Sequence, residues 1–110
     1  MIVDKQNDVT LITEASERLK DFPDRLLRSY NTLRRDNLIV DLSSLKKVTL
    51  TDLLRFLELS NRHRKQKRSF VLVMPAARHN EVPDELVVVP TLQEAKDIVA
   101  IEEMERDMGF

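Results

Sequence analysis

The stretch Leu38–Pro75, LIVDLSSLKKVTLTDLLRFLELSNRHRKQKRSFVLVMP, decides the fold. It opens on an apolar run, Leu38–Ile39–Val40, and closes on another, Phe70–Val71–Leu72–Val73–Met74. Continuous apolar runs suit strands covered on both faces, as in parallel sheets. Between them lies a segment with helical spacing and then a basic turn. Thr49 can cap that helix, with Asp52 three residues on imitating a capping box. Leu50, Leu53, Leu54 and Leu57 are its expected buried stripe, which Phe56 and Leu59 widen. Strand, helix and parallel strand in succession make a crossover unit, which is right-handed almost without exception.

Similar signals extend outward. Ile2–Val3 and residues 9–12 flank Gln6–Asn7–Asp8, the composition of a hairpin. Residues 14–20, EASERLK, are polar and read equally as a linker or as an extra helical turn. Asp21, Pro23 and Asp24 mark a helix start, and Phe22, Leu26, Tyr30 and Leu33 recur at helical spacing. Residues 75–84 read as a loop. Leu86–Val89 is a last strand. Thr91-x-x-Glu94 then caps a final helix carrying Leu92, Ala95, Ile98, Val99, Ile101, Met104 and Met108, the last turn being expected to pack on the sheet. The expected fold is α/β, a small mixed sheet of four to five strands with three main helices, in the order β-β-α-β-α-β-α.

The bulk numbers limit function. A chain of 110 residues is one domain, 1–110. With 42% hydrophobic and 34% charged residues it has a globular composition. Its net charge of −1 carries no overall footprint of a nucleic-acid binder. There is no cysteine, so disulfides, thiol nucleophiles and cysteine-held zinc are excluded. The single glycine, Gly109, excludes phosphate-cradling glycine loops. MIVDKQNDV lacks the pattern of a leader, and no apolar run nears the ~20 residues of a membrane span, so a cytoplasmic protein is expected.

Candidate catalytic residues are few. Ser43, Ser44, Thr49 and Thr51 have no local histidine and no nucleophile elbow, and read as turn and cap residues. His63 and His79 stand 16 residues apart. Neither belongs to a ligand cluster, and both are expected to be exposed. No cofactor, metal or catalytic residue is therefore assigned. The run Arg62, His63, Arg64, Lys65, Gln66, Lys67, Arg68 reads first as a solvated helix end and second as a contact for RNA or an acidic partner. Residues 51–68 hold six bases and two acids, and residues 91–110 two bases and six acids. The basic end of the second helix is thus expected to meet the acidic end of the third.

From Leu38 onward the chain resembles the STAS domain, the fold of bacterial anti-sigma factor antagonists. Val40–Asp41–Leu42–Ser43, Ser69–Phe70–Val71–Leu72–Val73 and Thr91–Leu92–Gln93–Glu94–Ala95 carry the likeness, in order and spacing. It implies a non-catalytic regulatory module whose partner is an anti-sigma kinase-like protein or a signalling assembly. It also implies a contact region at Ser43, Ser44, Thr49, Leu50, Thr51 and Asp52. Members that act as phosphorylation switches carry Asp, Ser or Thr, Ser or Thr, and Gly at the start of this helix. Here Thr49 stands for the Asp, Leu50 for the phosphoacceptor and Asp52 for the Gly, which implies a module without the switch. Short stand-alone chains of this kind also carry the label ribonuclease Z. Such nucleases need a His-x-His-x-Asp-His cluster, which this sequence lacks. The alternatives are an accessory to RNA processing that uses Arg62, Arg64, Lys65, Lys67 and Arg68, or a self-assembling homo-oligomer.

Overall fold

The computed structural model describes residues 2–6, 9–13, 22–44, 48–75 and 82–109. The elements are β1 (Ile2–Gln6), β2 (Val9–Thr13), α1 (Phe22–Leu33), β3 (Asn37–Asp41), α2 (Leu50–Lys65), β4 (Phe70–Val73), β5 (Val87–Val89) and α3 (Leu92–Asp107). The hairpin, all three helices and the strands at each end of the crossover are as the sequence implies. The order, however, is β-β-α-β-α-β-β-α. β4 and β5 follow one another with no helix assigned between them among the described residues, so the sheet reaches five strands. The expectations for residues 14–20, for the Asn7–Asp8 turn, for the Asp21 cap and for most of the loop after Pro75 lie outside the described residues.

The sheet runs β1-β2-β3-β4-β5. β1 pairs antiparallel with β2, and β2 through β5 pair in parallel. Strand alternation sends side chains to two faces. Ile12, Leu38, Val40, Phe70 and Leu72 meet α1 and α2 on one face. Ile39, Val71 and Val73 meet Ala95 and Val99 of α3 on the other. β3 and β4 are therefore covered on both sides, which is why they read as unbroken apolar runs.

Two helical stripes differ from expectation. In α2, Leu53, Phe56, Leu59, Ser60 and His63 are buried, whereas Leu50 and Leu54 are 60% and 50% exposed. The buried positions 53, 56, 60 and 63 follow the helical period; Leu50 and Leu54 lie off that line. In α3, Ala95 and Val99 are buried, but Ile101, Met104 and Met108 are exposed. These three lie on the side of α3 turned away from Ala95 and Val99, and the end of the helix meets the sheet through the polar side chain of Arg106 instead.

Candidate functional site

The expected contact region forms at one edge of the sheet, beyond the C-terminal ends of β3 and β4. Asp41 ends β3, and its carboxylate accepts the Ser43 N–H at 2.9 Å, which turns the chain. Ser43 and Ser44 are exposed there. The start of α2 carries a complete capping box. Thr49 Oγ1 accepts the Asp52 N–H at 3.2 Å and donates to Asp52 Oδ2 at 2.8 Å. The Thr49 N–H donates to the same carboxylate at 3.1 Å. Thr49 and Asp52 are thus held in each other's hydrogen bonds, while Leu50, Thr51 and Leu54 face solvent. The region offers an apolar ridge on a capped helix. Thr49→Ala should lower stability by about 1 kcal/mol, read as the urea midpoint, because an N–H of the first turn loses its acceptor.

The basic run stands at the other end of α2. At about 1.5 Å per residue, 16 residues put it more than 20 Å from Thr49. The structure therefore does not bring the two groups of candidate residues together. Within the run, Arg62, Lys65, Lys67 and Arg68 are exposed. Arg64 instead donates to Glu102 Oε2 and to the Phe70 carbonyl, both at 3.1 Å. This is the expected meeting of the basic end of α2 with the acidic end of α3, made around the sheet edge. Arg106 extends it, donating to Ser69 Oγ at 3.2 Å and to Asn37 Oδ1 at 3.1 Å. Asn37 Oδ1 also accepts the buried Ser69 N–H at 2.8 Å. The sequence reading did not find the Asn37–Ser69–Arg106 clip. Its only trace is a polar residue just before each apolar run.

His63 corrects the sequence reading outright. It is fully buried rather than exposed. Nε2 lies 2.7 Å from the Asp36 carbonyl, and Nδ1 lies 2.8 Å from the Tyr30 hydroxyl. A carbonyl only accepts, so Nε2 carries the proton and Nδ1 accepts from Tyr30. The ring also meets Tyr30 and Phe70 edge to face. Burial pushes the His63 pKa below its ordinary value, and Arg68 and Arg64 push the same way against the Asp36 carbonyl and carboxylate. Burial likewise raises the Tyr30 hydroxyl, against the pull of Arg62 and Arg34. Asp36 is itself held by Thr10 and Lys5. The cluster joins β1, β2, α1, α2 and β4 as a structural latch. His79 lies outside the described residues. No group of three metal-ligating side chains occurs among the described residues. None of their helices is long and apolar enough to cross a membrane.

The strand order is sequential throughout, so β3 and β4 enclose no point where the order reverses. Parallel sheets place small-molecule crevices at such reversals.

No family model matches the chain, and no curated protein matches it. Among solved structures, a serine-to-glutamate variant of RsbS from Moorella thermoacetica matches with a TM-score of 0.68. The two are 18% identical, and the match covers 96% of this chain and 97% of that one. The chain has the STAS-domain fold, as the motifs at Val40, Ser69 and Thr91 imply.

Proposed function

We propose that this STAS-fold chain is a non-catalytic, cytoplasmic regulatory module that binds a protein partner through the start of α2. One observation carries the reading: Leu50 and Leu54, one turn apart, are exposed beside a fully bonded cap. Two large aliphatic side chains at adjacent exposed positions of one helix form a compact apolar contact, and Ser43, Ser44 and Thr51 supply a polar rim. The partner is of the anti-sigma kinase kind or belongs to a signalling assembly, as the fold suggests. Binding is constitutive. Leu50 has no hydroxyl to modify, and the Thr49 hydroxyl is engaged in the cap. A phosphate on Thr51 would gain ~0.3–1 kcal/mol from the helix dipole but would face the Asp52 charge.

The test compares wild type with Leu50→Asp/Leu54→Asp as bait in the native cells. The variant should melt like wild type, since exposed positions usually move stability by no more than ~0.5 kcal/mol. It should lose the partner that wild type captures reproducibly and stoichiometrically. Intact mass from growing and stressed cells should be unmodified. A partner retained by the variant, or a phosphorylated Thr49 or Thr51 fraction that changes with condition, refutes the corresponding half of the reading. Salt-sensitive tRNA binding, lost when Lys65, Lys67 and Arg68 are neutralised, would favour the RNA accessory instead.

A further inference from the structure

The turns that lead into β3 and β4 lie side by side at one edge of the sheet, since Leu38 and Phe70 are paired in register. Both turns are basic. Arg34 and Arg35 follow α1, and Lys67 and Arg68 follow α2, whose last turn adds Arg62 and Lys65. All six are exposed. None of them makes an ion pair among the described residues. Arg64, by contrast, is answered by Glu102.

Packing, and not only sequence, gathers these cations. The Arg62 guanidinium lies over the Tyr30 ring, 5.2 Å from its centroid. The Arg34 N–H donates to the Tyr30 carbonyl at 2.8 Å, one turn on. Burial raises the Tyr30 hydroxyl, and Arg62 and Arg34 both pull it down, so cations from two helices reach the same group. Burial lowers His63 beside it, and Arg68 and Arg64 lower it further. Like charges gathered in one place repel, and an anion from outside relieves that repulsion.

The acids nearby set the limits of this patch. Asp36 is buried and held by Thr10 and Lys5. Glu58 stands one turn before Arg62 and makes no ion pair with it. Asp84 and Glu85 are exposed just before β5, at the same edge. Glu103 and Asp107 line one recess with Lys67, Arg68 and Arg106. The cations therefore form a strip from the Arg34 turn to the end of α2, with carboxylates along its β5 and α3 sides.

We propose that this strip binds an acidic segment of a partner protein. The shape of the charge selects that occupant. A membrane or a nucleic-acid duplex presents a broad anionic surface, which would also press on Asp84, Glu85 and the end of α3. Unpaired RNA is gripped by stacking, and every described aromatic ring is buried. A narrow run of carboxylates fits between the acidic borders. Arginine suits it, because its planar fork takes a carboxylate in two parallel hydrogen bonds. The strip lies at the opposite end of α2 from Leu50 and Leu54, so this contact stands or falls apart from the apolar one.

Fluorescence anisotropy with a labelled peptide of alternating glutamate and serine tests it. The peptide should bind the purified chain at low salt. It should be released in about 1 M NaCl, where the Debye length is about 3 Å. Arg34→Gln/Arg62→Gln should weaken binding roughly fivefold or more, with an unchanged circular dichroism spectrum. Arg34→Gln/Arg35→Gln keeps the cation over the Tyr30 ring and should weaken it alike, so a folding defect in the first variant does not decide the result. Arg28→Gln/Lys96→Gln removes two charges from exposed positions outside the strip and should bind like wild type. Leu50→Asp/Leu54→Asp should still bind the peptide, whatever becomes of its partner. Absence of binding at low salt overturns the proposal, as does equal weakening by the Arg28/Lys96 variant. Tighter binding of polyuridine RNA, or of vesicles of equal parts phosphatidylserine and phosphatidylcholine, also overturns it. So does self-association of the chain that competes with the peptide, since the occupant is then a second copy.

Discussion

Val40→Asp and Leu72→Asp are expected to abolish the cooperative thermal transition, while Lys67→Ala melts with wild type. Val40 and Leu72 are neighbours across β3 and β4, both fully buried against α1 and α2. Both side chains sit within a cluster of buried hydrophobic side chains from the sheet, α1 and α2. Burying a polar group without a partner costs several kcal/mol even if the carboxylate takes up a proton. The lost apolar contact adds to that. Domains of this size have about 5–15 kcal/mol in total, so either change removes most of it. Lys67 is exposed, with φ at 61°, in the left-handed turn after α2. Lysine and alanine are equally strained there, so exchanging them leaves the balance unchanged. Three coinciding melts would show that the assigned core is wrong.

The core was readable because β3 and β4 are covered on both faces. Their residues need no alternation, and unbroken apolar runs of three (Leu38–Val40) and five (Phe70–Met74) announce such strands directly. The Thr49 and Thr91 caps were equally readable, because capping is local: Thr91 Oγ1 accepts the Glu94 N–H at 3.2 Å, three residues on, as its spacing implies. What the sequence concealed depends on neighbours far along the chain. Leucines at 50 and 54 look like core by type, but their side of α2 is exposed among the described residues. His63 looks like solvent by context, in a run of arginines and lysines, yet it continues the line of Leu53, Phe56 and Ser60. Periodicity should have outweighed composition there. The methionines of α3 are helically spaced too, but Met104 and Met108 fall on the side of the helix opposite Ala95 and Val99, while Arg106 on the sheet-facing side meets Ser69 and Asn37. Ser43, Ser44 and residues 49–52 could be placed on one sheet edge from topology alone. That Leu50 and Leu54 stand exposed beside the Thr49–Asp52 cap required the structure.

His63 should make the protein acid-sensitive from just below neutrality. The folded state holds a neutral ring, donating from Nε2 to the Asp36 carbonyl and accepting at Nδ1 from Tyr30. Desolvation lowers its pKa first of all. The charged groups around it divide: Arg68 and Arg64 lower it further, and the Asp36 carboxylate opposes them. In the unfolded chain the ring takes up a proton near its ordinary value of about 6.5. The folded ring does so only at lower pH. Between those two values the unfolded state binds more protons, so stability falls as pH falls. The loss begins near pH 7, continues through 6.5 and ends only below the folded pKa. Its slope cannot exceed about 1.4 kcal/mol per pH unit for one group. Urea unfolding from pH 7.5 to 5 reads it. His63→Leu should be less stable at pH 7.5 by ~1–3 kcal/mol, because the Tyr30 hydroxyl and the Asp36 carbonyl lose their partner. It should also lose the histidine slope, so its curve approaches that of wild type as pH falls. If the two curves run parallel across that range, another group drives the acid sensitivity and the buried ring is a structural polar contact only.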